Sequence, residues 1–368
     1  MGSKRHLDFA WKPPRTFEPP NPRTFELMKP MLNLILIIAA LLWSCQPEAE
    51  QENIQFVKPA NFPEPVYDLK KNPISTAGFE LGRTLFYDPI LSRDGSISCG
   101  SCHQQSAAFT HHGHDLSHGI DDQLGERNSP PIMNLAWHNT FFWDGGVHDL
   151  DLQPIAPIEN PLEMDEDLKK AVEKVRNSSK YAPMFKETFG STEVTTDRML
   201  KAMSQFMLMC ISADSRYDKY VRKEAGGELN SSELAGMQVF QQKCASCHKG
   251  ELFSDFSFRN NGLSHEFNKD RGRHRITLNE EDDYKFKVPS LRNVANTGPY
   301  MHDGRFYTLD EVLTHYTLGL KDQPTLDPLL KQNGKLGIEL SNEEKEQIKA
   351  FLKTLSDDAF LRNRKLSE

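Results

Sequence analysis

The chain has 368 residues, with 44 lysine and arginine residues against 52 aspartate and glutamate residues and a formal net charge of −8 at pH 7. Its 38% hydrophobic and 26% charged residues are typical of globular proteins and exclude disordered, collagen-like and polytopic membrane proteins. The acidic balance argues against a nucleic-acid-binding surface. At about 150 residues per domain, the length predicts two domains.

The only strongly apolar run is residues 31–43. A membrane-spanning helix needs about 20 apolar residues, so this shorter run is typical of a signal peptide. The next residues, Leu42-Trp43-Ser44-Cys45, resemble a bacterial lipobox. They predict a periplasmic lipoprotein anchored to the membrane through Cys45; a plain signal peptide or a retained N-terminal anchor is the alternative.

The residues on either side of this signal are polar and contain several prolines. We predict that translation starts at Met28, that residues 1–27 are a mis-annotated extension, and that residues 28–45 are the signal peptide. Residues 46–70 are predicted to form a tether.

Two C-x-x-C-H motifs follow, Cys99-Gly100-Ser101-Cys102-His103 and Cys244-Ala245-Ser246-Cys247-His248. Two thiols three positions apart can add to the two vinyl groups of one porphyrin, and the adjoining histidine becomes the proximal iron ligand. A zinc site built from both cysteine pairs is the alternative, but it gives no reason for a histidine after each pair. The motifs therefore predict two covalently bound haem c groups.

Six cysteines in an exported chain would ordinarily suggest three disulfides. Here four are assigned to haem and Cys45 to the lipid anchor. Cys210 belongs to a segment with helical spacing of apolar residues, which predicts a buried thiol beside Leu200, Met203, Met207 and Ile211. No disulfide is predicted.

The sequence around each motif is repeated. Upstream, glycine and phenylalanine lie four positions apart, at Gly82/Phe86 and Gly236/Phe240. Downstream, Arg-Asn precedes an Asp-Gly pair that is followed by Leu-Asp: Arg127-Asn128, Trp143-Asp144-Gly145 and Leu150-Asp151, then Arg292-Asn293, His302-Asp303-Gly304 and Leu309-Asp310. The repeat indicates two copies of one haem-binding unit.

Strand alternation is scarce along the chain, whereas helix signals are frequent. Ser341 to Glu344 fits a capping box, and one helical face follows at Ile348, Phe351, Leu352 and Leu355. The predicted fold is mostly α, with two cytochrome c-like haem domains related by duplication, residues 71–225 and 226–368.

Residues 70–360 resemble the bacterial di-haem cytochrome c peroxidase family, which includes MauG. The motifs that carry the resemblance are Leu81-Gly82-Arg83-Thr84-Leu85-Phe86, Arg127-Asn128-Ser129-Pro130, Phe142-Trp143-Asp144-Gly145, Pro157-Ile158-Glu159-Asn160-Pro161-Leu162-Glu163-Met164, and Pro289-Ser290-Leu291-Arg292-Asn293 to Tyr300-Met301-His302-Asp303-Gly304. The resemblance implies that the N-terminal domain is peroxidatic and that the C-terminal domain transfers electrons.

The resemblance also implies roles for single residues. His103 and His248 would be the proximal ligands of the two haem irons, and Trp143 would lie between the haems. Glu163, with Gln153 as its neighbour in the motif, would be the distal carboxylate that moves a proton during cleavage of the peroxide bond. Three positions match the ligands of a calcium ion between the domains, Asn128, Thr297 and Pro299.

The sixth ligands depart from the peroxidase pattern. Fourteen residues after His302, where peroxidases carry methionine on the electron-transfer haem, this chain has Tyr316, as MauG-type members do. A phenolate favours ferric iron, whereas a thioether raises the haem potential. Met301 and His315 are nearby alternatives.

The distal ligand of the first haem is less defined. His118 is close to the position of the loop histidine that blocks this iron in other members, but its register differs by one or two residues. The neighbouring histidines, His111, His112 and His114, make a solvated cluster or an adventitious metal site the alternative.

The leading functional hypothesis is reduction of hydrogen peroxide to water, with electrons from a small periplasmic cytochrome c or copper protein. The second is a MauG-like enzyme that oxidises Trp or Tyr side chains of a partner protein through a high-valent iron state, which Tyr316 favours. The third is a non-enzymatic di-haem electron carrier. Family members are often homodimers.

Overall fold

The computed structural model describes residues 53–266 and 269–368. The predictions for residues 1–27, the signal peptide, Cys45 and the first part of the tether lie outside the described residues. Contacts group residues 53–368 into one unit, so the boundary proposed after residue 225 lies within that unit. No helix in the described part of the chain is both long and apolar enough to cross a membrane.

The described chain is mostly helical, which confirms the predicted class. The α-helices are α1 (Thr76–Tyr87), α2 (Cys99–Cys102), α3 (Ile155–Glu159), α4 (Leu168–Asn177), α5 (Tyr181–Phe189), α6 (Thr196–Met209), α7 (Arg216–Arg222), α8 (Ser231–Lys243), α9 (His274–Thr277), α10 (Leu309–Thr314), α11 (Asn342–Lys353) and α12 (Asp358–Leu361). Two short antiparallel pairs complete it, β1 (Phe258–Arg259) with β2 (Phe286–Lys287), and β3 (Lys331–Gln332) with β4 (Lys335–Leu336).

Two helix crossings share one geometry. A Cβ atom added at Gly82 in α1 would lie 1.9 Å from the carbonyl oxygen of Ala202 in α6. A Cβ added at Gly236 in α8 would lie 1.9 Å from the carbonyl oxygen of Gln347 in α11. Each glycine therefore lets two helix backbones touch, which explains why the Gly–Phe spacing occurs before both motifs.

The loops downstream of the motifs also share one geometry. Asn134 and Asn293 both adopt left-handed backbone, with φ of 57° and 55°, and each begins a short 3₁₀ turn. Nine residues later come Trp143 and His302, in loops closed by the bridges Phe141–Val147 and Tyr300–Phe306. The structure thus pairs Asn293 with Asn134, and the sequence pairing of Asn293 with Asn128 is wrong. Asn128 corresponds to Lys287.

Each loop packs on the opposite half of the chain. A Cβ at Gly145 would meet the Phe258 ring at 2.3 Å, and one at Gly304 would meet the backbone of Asp115 at 2.4 Å. The Trp143 carbonyl accepts a hydrogen bond from the Lys287 amide at 2.7 Å. The His302 carbonyl accepts one from the Asn128 amide, also at 2.7 Å. Reciprocal contacts therefore join the two halves.

The part of the predicted tether that the structure describes is not a free linker. Phe62 is only 3% exposed, and the partly buried residues that pack against the same core include Ile54, Phe56, Tyr67 and Leu69. Because these side chains bury apolar surface, residues 53–70 belong to the folded unit. The prediction of a tether is wrong for this stretch.

The predicted helical faces are buried. Leu200, Met203 and Met207 of α6 lie in the core, and Cys210 follows them with no exposed surface. The capping box of Ser341 and Glu344 begins α11 as predicted. None of the described cysteines forms a disulfide.

The helix crossings generate a stability prediction. Gly82→Ala inserts a methyl group against backbone that cannot rotate away, so we expect the free energy of unfolding to fall by about 1–3 kcal/mol. Urea unfolding of the wild type and of Gly82→Ala measures this change, and equal stabilities of the two proteins would contradict the prediction.

Candidate functional site

The first C-x-x-C-H motif forms a single helical turn with His103 at its end. Ser98 begins α2 with a capping box, so the turn presents Cys99 and Cys102 before the histidine. His103 Nδ1 donates to the carbonyl oxygen of Phe109 at 2.7 Å, which leaves Nε2 able to bind a metal ion. Burial lowers the pKa of His103, so the ring is neutral, as a ligand requires.

The second motif follows the end of α8 in hydrogen-bonded turns, and its histidine is held in the same way as His103. His248 Nδ1 donates to the carbonyl oxygen of Phe253 at 3.1 Å. Phe109 and Phe253 both have left-handed backbone, with φ of 61° and 52°. Burial also lowers the pKa of His248. The two motif histidines are therefore held by the same kind of hydrogen bond.

The zinc alternative fails on placement. Within residues 53–266 and 269–368, only His274, Glu280 and Asp283 form a group of three or more His, Cys, Asp or Glu side chains able to share a metal ion. The four motif cysteines are not brought together. Burial chiefly raises the pKa of Cys99 and Cys244 to about 12, which keeps the thiols protonated.

A cavity of about 1190 Å³ lies beside the second motif. Cys244, Cys247 and His248 line one part of it, and the apolar lining includes Phe240, Leu313, Ile348 and Leu352. This volume exceeds the usual range of ligand pockets, about 300–1,000 Å³, and suits a large flat apolar group. The thiols, the imidazole and the walls therefore fit haem.

Tyr316 lines the same cavity, at the end of α10 where the helix widens into a π-turn over His315–Gly319. Burial raises the pKa of Tyr316 to about 12, and a hydrogen bond from Asn261 opposes that shift. Met301 also lines the cavity, with its Sδ accepting from Asn261 Nδ2 at 3.4 Å. His315 Nε2 donates to the Asn261 carbonyl at 2.9 Å, which commits that nitrogen to the backbone.

Glu163 lies beside the first motif. Its carboxylate adds to the effect of burial in raising the pKa of Cys99 to about 12 and of Cys102 to about 11. Burial raises the pKa of Glu163 itself, and a 2.9 Å hydrogen bond from Asn160 Nδ2 opposes this. Gln153 is half-buried and ends the turn Leu150–Leu152 that precedes α3.

The histidine cluster is partly buried. The rings of His111 and His114 stack at 4.1 Å, and His114 Nδ1 lies 3.1 Å from His118 Nε2. The His118 carbonyl accepts from Cys102 Sγ at 3.3 Å, which places this loop at the first site. His111 is buried and its Nδ1 has no hydrogen-bond partner among the described residues, so a fully solvated cluster is wrong for this residue, whereas His112 is exposed.

Trp143 lies at the cavity of the second motif. It follows the first motif in sequence, yet it lines the cavity of the second, and its Nε1 donates to the Asn128 carbonyl at 2.9 Å. Asn128, Thr297 and Pro299 line this cavity as well. Asn128 Nδ2 donates at 3.1 Å to the carbonyls of His114 and Asp115, so its Oδ1 is directed away from them.

Comparison with known proteins identifies this arrangement. A family model described as di-haem cytochrome c peroxidase matches residues 76–226. The chain is 34% identical to the methylamine utilization protein MauG of Methylorubrum extorquens, over 84% of this chain and 86% of that protein. The cytochrome c551 peroxidase of Nitrosomonas europaea is 36% identical, over 80% of this chain and 85% of that protein. The chain belongs to the di-haem cytochrome c peroxidase family.

A solved structure agrees with this assignment. A MauG-like protein associated with microbial copper homeostasis is 32% identical, with a TM-score of 0.76, over 85% of this chain and 99% of that one. The protein is therefore a peroxidase-type oxidoreductase, and haem is its cofactor.

Sequence reasoning missed three polar residues of these family sites. Asn160 lies in the motif of residues 157–164, but its hydrogen bond to Glu163 forms only because the turn before α4 brings the two side chains together. Asn261 forms hydrogen bonds with Tyr316, Met301 and His315, and it belongs to no recognisable sequence motif. Lys287 is a half-buried lysine on the cavity wall, and the sequence feature that could have pointed to it is its position two residues before Pro289.

The bond from Asn160 generates a pH prediction. Asn160→Ser removes the amide donor that stabilises the Glu163 carboxylate, so the pKa of Glu163 should rise further. If the Glu163 carboxylate accepts the proton from peroxide, the fall in the rate of reaction with peroxide on acidification should begin at a higher pH. Stopped-flow rates across pH measure this shift.

Asn177→Ser, at an exposed position, is the control. An acid limb that stays at the wild-type pH in Asn160→Ser would contradict the assignment of Glu163 as the titrating group.

Proposed function

We propose that the protein reduces hydrogen peroxide to water at a haem c held by Cys99, Cys102 and His103. Two electrons and two protons convert one peroxide into two water molecules. The electrons enter from a small periplasmic cytochrome c or copper protein through a second haem c, held by Cys244, Cys247 and His248. When bound, the two haems supply the iron at which peroxide is cleaved and the redox centre that passes electrons.

The position of Glu163 carries this proposal. A partly buried carboxylate with a raised pKa stands beside the first motif and has one amide donor, Asn160, on Oε1. Such a group can accept a proton from the near oxygen of peroxide and return it to the leaving oxygen. Gln153, from the turn before α3, is proposed to help orient the peroxide.

Trp143 is proposed to relay electrons between the sites. It lines the second cavity, and its indole N–H is held by the Asn128 carbonyl of the first half. A fixed aromatic ring at this boundary shortens the path between the two redox centres.

Asn128, Thr297 and Pro299 are proposed to bind calcium at the same boundary. All three line one cavity and offer oxygen atoms, the ligand type that calcium prefers. Activity that is unchanged after treatment with a chelator would reject this site.

His118 is proposed as a weak ligand of the first iron, in competition with its bond to His114. If His118 stays in the histidine cluster, the first iron remains open to peroxide. Export as a lipoprotein anchored through Cys45, and assembly as a homodimer, complete the proposal. The mass of the N-terminal peptide and the mass of the native protein in solution test these two points.

A MauG-like activity is the second candidate, and Tyr316 is the observation that favours it. The phenol lies in the second cavity, with an Asn261 amide that stabilises its phenolate. A phenolate ligand would lower the potential of the second haem and hinder electron entry from a high-potential donor. In this candidate, Trp or Tyr side chains of a partner protein are oxidised instead.

Glu163→Gln tests the peroxidase proposal. Loss of the proton-transfer group should lower the rate of the reaction with peroxide by about 10²–10⁴-fold, while spectra of both haems persist. Glu159→Gln is the matched control, since Glu159 is exposed at the end of α3. Turnover by Glu163→Gln at the wild-type rate would reject Glu163 as the catalytic residue.

Tyr316→Phe tests the sixth ligand. If the Tyr316 oxygen binds the second iron, the ferric absorption and EPR spectra of that haem should change and those of the first should not. Tyr300→Phe is the control, because Tyr300 lines the same cavity but donates to the Val294 carbonyl at 2.9 Å. A near-infrared band of ferric methionine-ligated haem in the wild type would instead identify Met301.

The same proteins mixed with peroxide separate the two activities. Rapid turnover with a reduced donor supports the peroxidase. A long-lived oxidised state that the donor does not discharge supports the MauG-like activity, and no reaction supports the electron carrier.

A further inference from the structure

Lys287 is a half-buried lysine with no role in the proposed function. It lies in β2, and its Nζ donates to the Thr140 carbonyl at 2.6 Å. Lys287 is one of the residues that line the cavity of the second motif, as is Trp143. Burial lowers the pKa of Lys287 to about 7, and the nearby Asp144 carboxylate opposes that shift. A buried ammonium group is costly unless an anion balances it.

Lys287 has a counterpart in the first half of the chain. Lys287 corresponds to Asn128, because each lies two residues before the proline whose carbonyl faces a proximal histidine, Pro130 for His103 and Pro289 for His248. The amides of both residues make the reciprocal bonds between the halves, Asn128 to His302 and Lys287 to Trp143.

In the first half, this position carries the proposed calcium ligand. In the second half, the side chain is itself a cation. Asn128 and Lys287 both line the cavity of the second motif.

Asp144 does not satisfy the Lys287 ammonium by itself. Its Oδ2 accepts from Arg127 at 2.5 Å, and its Oδ1 accepts from the Gly146 amide at 2.9 Å. His138, also close to Lys287, is neutral because burial holds its pKa well below the usual value. The group that would fill this cavity is a haem, and the anionic groups of a haem are its two propionates.

We propose that the Lys287 ammonium binds a propionate of the haem held at His248 and positions that haem against the Trp143 loop. The proposal rests on the proposed attachment of haem at Cys244, Cys247 and His248. Lys287 is a positioning residue, since it acts on the haem edge and touches no reacting oxygen. Its charge also stabilises the reduced, less positive iron.

The test compares the midpoint potentials of the two haems in Lys287→Met, Lys287→Arg and Lys285→Met by spectroelectrochemical titration of the haem-loaded protein. Lys287→Met should lower the potential of the second haem and leave the first nearly unchanged. Lys287→Arg should retain most of the wild-type value. Lys285→Met removes an equal charge two residues away, paired with Asp282 at 3.4 Å, and should change neither potential.

A potential of the second haem that is the same in Lys287→Met and Lys285→Met would overturn the proposal. So would equal shifts at both haems. If Lys287→Met does not fold, the propionate bending bands in the resonance Raman spectra of the wild type and Lys287→Arg decide. A propionate without a hydrogen-bonded cation in the wild type rejects the pairing.

These measurements need no peroxide. A shifted potential in a protein that fails to turn over peroxide would leave this inference intact and reject the proposed function. Normal peroxide turnover by a protein whose second-haem potential does not shift in Lys287→Met would support the proposed function and reject this inference.

Discussion

The buried ion pair between Arg292 and Asp218 is the interaction on which the second haem site depends. Both side chains have no exposed surface, and two hydrogen bonds of 2.8 Å join them. Burial alone would raise the pKa of Asp218, but the bonds and charge of Arg292 lower it. Removing one partner of such a pair typically costs about 3–5 kcal/mol, because the other charge is left buried and unpaired. Arg292 also stacks over Phe62, so the N-terminal segment is held by the same group.

This pair fixes the loop from Pro289 to Asn293. Asn293 begins its left-handed turn next to Arg292, and it donates to Ser212 at 2.9 Å and accepts from the Asp357 amide at 2.8 Å. At the start of the loop, the Pro289 carbonyl faces His248. The charge pair, the loop and the proximal histidine are therefore one connected structure, and the reciprocal contacts of Gly145 and Gly304 extend it to the first site.

Much of the candidate site could be predicted because its chemistry is local in sequence. The cysteines and histidine of each motif lie within five consecutive residues, so one helical turn places them together whatever the rest of the fold does. The Gly–Phe spacing in α1 and α8, and the capping box of α11, were also local. The prediction of a tether was wrong because it depended on contacts that are distant in sequence. Phe62 is buried by residues far from it in the chain, which proline content does not reveal.

The sequence by itself determined the two motifs, the mostly helical class, the family and the identity of the groups available at each site. Only the tertiary structure decided which of the two sites each side chain lies at. Trp143 belongs to the first repeat in sequence and lines the second cavity, because the Asp-Gly loops cross between the halves. The tertiary structure also showed that Asn128 corresponds to Lys287. That equivalence depends on backbone geometry and hydrogen bonds, which cannot be read from side-chain identity.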